Sequence, residues 1–167
     1  MTNLMIGLTI TFNIIFQITI LPDLRVFGIV PNTSLVIVVI LALLKGRIYG
    51  GITGIIIGFI QDILFSTVIG VNAFIYFFVG YFTGFAKDSF ARENIVNPII
   101  FSVLATVFYN LLYSLFMFFL SMDITIIQAV RSIISLEIIS NAIVAAIIYK
   151  LLQKIFSQPK IRFTRNR

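Results

Sequence analysis

Few side chains in this sequence could carry out chemistry, and two carboxylic acids inside apolar stretches stand out among them. The chain has six acidic residues and no histidine or cysteine, so the commonest general base and all thiolate chemistry are missing. Asp62 and Glu137 could in principle share a proton as a catalytic pair. No Ser–His or Cys–His set, metal-ligand cluster or phosphate-binding glycine loop accompanies them. We therefore expect no enzyme, no cofactor and no metal.

Three asparagines lie at comparable places in the apolar runs and extend this set of polar residues. The predicted polar cluster, near the outer side of a membrane, consists of Asp62, Asn72, Asn110, Glu137 and Asn141. An ionisable group at such a depth is costly unless it is paired or wet. Two interpretations stay open: a cavity that opens to the outside and binds a ligand or partner, or interfacial carboxylates paired with Arg25, Arg131 or water.

Glycines recur every fourth residue in the third apolar run and again, more briefly, in the fourth. Residues four apart share one helix face, which gives two glycine faces: Gly50, Gly54 and Gly58 in one helix, Gly80 and Gly84 in the next. Glycine lets two backbones approach closely where lipid supplies no hydrophobic drive between helices. We expect the two faces to meet each other, or one of them to meet a partner helix.

The elements that must position these residues are helices in a lipid bilayer. The composition is 60% hydrophobic and 11% charged, with a mean hydropathy of +1.12, whereas soluble domains average about 25% charged. Continuous apolar runs of about 20 residues favour spanning helices over a barrel. We predict an all-α integral membrane protein whose single domain, 1–156, has six helices at about 4–21, 33–44, 48–65, 70–86, 96–120 and 133–156. A basic tail follows at 157–167.

Residues next to the apolar runs indicate how the helices begin and how the connections lie. The first run lacks a basic leader and a small-residue cleavage site, so we expect a retained helix rather than a signal peptide. We expect Thr33 or Ser34 to cap the second helix after Pro31. Residues 124–127 are apolar within a polar connection, and we expect them to lie along the membrane surface.

The placement of basic residues predicts the orientation. With six spans and a cytoplasmic N-terminus, 10 of the 12 basic residues fall on the cytoplasmic side: Lys45, Arg47, Lys87, Arg92, Lys150, Lys154, Lys160, Arg162, Arg165 and Arg167. This distribution follows the positive-inside rule and also places the C-terminus inside. The same rule explains the basic tail, so we interpret the tail as a topology signal and expect no nucleic-acid partner.

Residues 27–84 contain an ordered set of motifs: a proline before an apolar helix, a short basic turn with glycine, a Gly-rich helix that ends in Gly-Phe-x-x-Asp, and then a glycine before an aromatic-rich helix. This order resembles the pattern of the MreD family of bacterial rod shape-determining proteins. The matching positions here are Pro31, Gly46, Gly50, Gly58, Phe59, Asp62 and Gly70, with Tyr76 and Tyr81 in the following helix.

The resemblance implies a non-catalytic membrane scaffold of the cell-wall elongation machinery in the bacterial plasma membrane. The implied partner is an MreC-type protein with one membrane helix. Further implied neighbours are a SEDS-type glycan polymerase, a class B penicillin-binding transpeptidase and the actin-like MreB filament. The implied fold is similar to that of the substrate-binding S components of energy-coupling-factor vitamin transporters.

That similarity supplies an alternative function, because an S component also has six helices and an outward-facing pocket. S components dock on the transporter through an Ala-xxx-Ala face on the first helix. The first helix here has no alanine, and Gly7 and Thr11 are a poor replacement. We therefore prefer the scaffold over the transporter component.

Overall fold

The computed structural model describes residues 2–19, 31–88, 94–120 and 136–156, and α-helix dominates all four ranges. The six α-helices in this part of the chain are α1 (Thr2–Thr19), α2 (Thr33–Lys45), α3 (Arg47–Phe65), α4 (Val71–Thr83), α5 (Val96–Phe119) and α6 (Glu137–Phe156), and a 3-10 helix covers Gly84–Asp88. Each overlaps one of the predicted runs, although α1 begins two residues earlier than predicted. The predicted surface segment 124–127 and basic tail 157–167 lie outside the described residues.

Helix α2 is the centre of the bundle. Every residue from Thr33 to Leu44 is buried, and the other five helices all contact α2. A helix that is apolar on all sides, as α2 is, needs such an enclosed position. Its 13 residues correspond to a length of about 20 Å at 1.5 Å per residue.

The outer surface of the bundle is strongly apolar. Large hydrophobic side chains that are more than half exposed include Leu8, Phe12, Ile52, Phe118, Ile143 and Leu151. Soluble proteins rarely expose contiguous apolar surface on this scale, whereas lipid solvates it. By length and composition, α3 and α5 could each cross a membrane, and the apolar helices at Leu4–Gln17 and Thr33–Lys45 are shorter than such a span.

The start of α2 corrects one prediction. Asn32, rather than Thr33 or Ser34, is the N-cap, and its side chain accepts a hydrogen bond from the Leu35 amide at 3.0 Å. Asparagine is among the strongest capping residues because its short side chain reaches an unpaired amide of the first turn. Thr33 and Ser34 instead lie within the first turn and are buried.

Two glycines, Gly46 and Gly84, lie at helix boundaries at the other end of α2. Gly46 alone separates α2 from α3 and has a φ of 95°, a left-handed backbone that favours glycine. α4 ends at Thr83, three residues before the predicted end, and the 3-10 helix continues from Gly84. A side chain at Gly84 would overlap the backbone of Arg47, so the start of the 3-10 helix packs directly on the start of α3.

Candidate functional site

The two glycine faces lie against each other at the interface of α3 and α4, which make the most extensive helix contact in the described chain. A methyl group at Gly50 would overlap the backbone carbonyl of Gly80, and one at Gly80 would overlap that of Gly50. A methyl group at Gly54 would overlap the carbonyl of Tyr76. Backbone therefore meets backbone along this interface.

The same close contact continues to both ends of the interface. Gly58 lies against the backbone of Ala73 near the start of α4, and Gly84 lies against Arg47 at the other end. Of the two neighbours that the sequence allowed for these faces, the one observed is the adjacent helix of the same chain.

Asp62 joins the end of α3 to the start of α4. Its side chain is fully buried, and Oδ1 accepts hydrogen bonds from the backbone and side-chain amides of Asn72, both at 3.0 Å. Oδ2 accepts from the backbone amides of Gly70 at 2.9 Å and Ala73 at 3.0 Å. The first amides of a helix have no partner inside the helix and carry partial positive charge, so a carboxylate is well suited to this place.

Asn72 carries this network onward to α5. Its side-chain amide also donates to the Ser66 hydroxyl at 2.7 Å, and its Oδ1 accepts from the Tyr109 hydroxyl at 2.7 Å. Asp62 and Asn72 therefore connect three helices through one set of hydrogen bonds. Arg25 and Arg131, the charge partners considered from the sequence, lie outside the described residues.

A second network begins at the N-cap of α2. The Tyr76 hydroxyl donates to Oδ1 of the Asn32 side chain at 2.9 Å, and the backbone amide of Asn32 donates to Oδ1 of Asn141 at 2.7 Å. The Asn141 side-chain amide in turn donates to the Thr106 hydroxyl at 3.0 Å. One capping residue thus links α4 and α2 to α6 and α5.

Glu137 and Asn110 belong to this second network. The Glu137 carboxylate is hydrogen-bonded to the side chains of Asn110 and Asn141. The rings of Tyr76 and Tyr109, one from each network, have centroids 5.6 Å apart. The five residues of the predicted polar cluster therefore lie in two neighbouring networks.

A third polar group, which the sequence analysis missed, attaches α1 to the bundle. The Ser34 hydroxyl accepts from Asn13 at 2.8 Å and donates to Oε1 of Gln17 at 2.5 Å. The Gln61 side chain donates to Oε1 of Gln17 at 2.8 Å and to the Ser34 hydroxyl at 2.9 Å. The four-residue spacing of Asn13 and Gln17 in an otherwise apolar helix was the signal that could have revealed this group.

The residues of the sequence motif occupy structurally distinct places. Pro31 precedes the N-cap of α2, and Gly46 and Gly70 both have left-handed backbone, with φ of 95° and 103°. Phe59 is about half exposed on the outer surface, while Asp62 caps α4. Four of these five positions therefore lie at or near a helix end, and the fifth faces outward.

The polar side chains of this site join helices to one another. Within the described ranges, no group of three or more acidic residues is close enough to hold a metal ion. Asp62 and Glu137 both form hydrogen bonds with other groups of the chain. These two carboxylates therefore link helices to one another.

A comparison with protein-family models matches residues 1–155 of the 167-residue chain to the family described as rod shape-determining protein MreD. Comparisons with curated proteins and with solved structures found no match. The family match extends well beyond residues 27–84 and includes all six helices, apart from the last residue of α6.

Proposed function

The chain belongs to the MreD family of rod shape-determining proteins, and on this premise we propose that it is a non-catalytic scaffold of the cell-wall elongation machinery. Family membership itself identifies the protein as a membrane component of the bacterial apparatus that determines rod shape. The family match over residues 1–155 is the observation that carries the proposal.

The internal contacts support a scaffold. Buried polar side chains, among them those of Asp62, Asn72 and Asn141, form hydrogen bonds that join α2 to α6, and the α3–α4 interface is closed by backbone contact. Such links favour a fixed arrangement of helices with a constant outer surface. A constant surface is what a protein needs if it positions partners rather than transforms a substrate.

We propose an MreC-type membrane protein as the direct partner, with the SEDS-type polymerase, the class B transpeptidase and the MreB filament as neighbours in the same assembly. Because Gly50, Gly54 and Gly80 contact the neighbouring helix of the same chain, we expect the partner's membrane helix to bind another, outward face. Crosslinkers placed at outward positions of each helix, followed by mass spectrometry, would locate that face.

Depletion in a rod-shaped host, combined with purification of a tagged copy, tests the scaffold. We expect depleted cells to widen or become round, and we expect an MreC-type protein to co-purify with the tagged chain. An unrelated multi-pass protein with the same tag is the control. Co-purification with an ATPase-driven transporter and a bound vitamin would contradict the scaffold and favour an S component, a function that the comparisons do not support.

A further inference from the structure

A cleft of about 380 Å³ opens where α2 meets α3 and where the 3-10 helix follows α4. This volume equals that of roughly a dozen waters in the liquid, which is enough for a small polar headgroup with some of its hydration. The cleft lies at the end of the bundle opposite the Asp62 cap, since α3 begins at the cleft and ends near Asp62.

The cleft is lined by positive charge. Lys45, Arg47 and Lys87 contribute three cations, and Asp88 contributes one carboxylate. The half-buried Lys87 side chain lies against Gly46, and its Nζ donates to the Lys45 carbonyl at 3.3 Å. The Arg47 guanidinium lies 5.2 Å from the centroid of the Phe85 ring. These contacts place the cations of the α2–α3 junction and of the 3-10 helix next to each other at the same cleft.

Exposed apolar side chains surround this charge. Ile48 and Phe85 both line the cleft and are 64% and 52% exposed, and Phe82, one turn before Phe85, is 57% exposed. A free anion or an acidic peptide would contact the cations but not these apolar side chains. A molecule with an anionic head and apolar chains would use both surfaces.

We propose that this cleft binds the headgroup of an anionic phospholipid. The lipid phosphate contacts Arg47 and Lys87, and the acyl chains follow Ile48 and Phe85 into the bilayer. Basic pockets between membrane helices on the cytoplasmic side are suited to such headgroups. The proposal concerns the lipid alone and is independent of the scaffold role.

Lipid titration of the full-length protein in detergent, read by native mass spectrometry, tests this site. We expect phosphatidylglycerol to bind at least about tenfold more tightly than phosphatidylcholine, because each basic side chain near the headgroup adds to the attraction. We expect the double change Arg47→Gln and Lys87→Gln to weaken phosphatidylglycerol binding by about tenfold.

The matched control removes the same charge elsewhere. Lys150→Gln with Lys154→Gln alters two exposed residues of α6, and we expect an effect below about twofold because these residues are not part of the cleft. Equal weakening by both pairs would overturn the proposal in favour of general surface charge. Competition by inorganic phosphate or a polyglutamate peptide as effective as that by phosphatidylglycerol would overturn it in favour of those ligands.

Circular dichroism shows whether the double variant keeps its helices. If that variant does not fold, Arg47→Gln alone gives the test, since the Arg47 side chain is exposed. We expect a loss of about threefold from this single change, and unchanged phosphatidylglycerol affinity in the folded single variant would overturn the proposal.

Discussion

Asp62 shows how a buried carboxylate can be structural. Its two oxygens accept four hydrogen bonds, three of them from backbone amides at the start of α4. The sequence indicated an acidic residue at the end of a glycine face, but the partners could not be predicted. The donors lie 8 to 11 residues away, and only the turn with left-handed Gly70 brings them to the carboxylate.

We expect Asp62→Asn to destabilise the protein by about 1–3 kcal/mol, because one acceptor oxygen becomes an NH₂ group that faces amide donors. Thermal unfolding of the purified protein in detergent measures the effect. Asp88→Asn removes the same charge from an exposed position in the 3-10 helix and is the control. Equal melting temperatures for the two variants would contradict the capping role.

At the scale of the element, the apolar runs predicted where helices lie better than how they end. The bounds of α3 and α5 differ from the prediction by a single residue, since polar residues or glycine flank both runs. The predicted end of α4 was wrong because the run remains apolar beyond Thr83, whereas the helix changes to 3-10 form at Gly84, where it packs closely on Arg47. That contact depends on tertiary packing, which hydropathy does not contain.

The close α3–α4 interface predicts that a glycine-to-alanine change there lowers stability more than the same change in α1. Gly54→Ala places a methyl group on the Tyr76 carbonyl, and we expect a loss of about 1–3 kcal/mol from overpacking. Gly7→Ala adds the same group in α1 where, within the described residues, only the nearby backbone of α1 itself lies close, and we expect a neutral or slightly stabilising effect because alanine is the better helix former.

Unfolding midpoints of these two variants in the same detergent provide the comparison. A Gly54→Ala protein as stable as the Gly7→Ala protein would show that α3 and α4 do not approach as closely as described.

The whole molecule combines an apolar exterior with polar links inside, as expected of a protein solvated by lipid. The composition and the continuous apolar runs together predicted the helical class, and the family match supports the membrane setting. The central position of α2 could not be predicted, because an apolar run of this kind is equally compatible with lipid contact and with enclosure by other helices.

We propose six spans with both termini in the cytoplasm, and reporter fusions test this orientation. The contact of Lys87 with the Lys45 carbonyl places two basic connecting segments at the same end of the bundle, which agrees with the positive-inside rule. Fusions at residue 1 and residue 167 should both report a cytoplasmic location. A C-terminal reporter active on the outer side would contradict the six-span topology.

The brevity of α2 has a consequence for both of its ends. A helix of 13 residues falls roughly 10 Å short of the thickness of a typical hydrocarbon core. In the proposed six-span topology, a helix this short cannot bring both ends to the membrane surface, so the unpaired peptide groups at the end far from the cleft need partners within the protein. There the Asn141 side chain accepts from the Asn32 backbone amide and replaces the water that would bind the end of an ordinary spanning helix, while at the cleft end Lys87 donates to the Lys45 carbonyl.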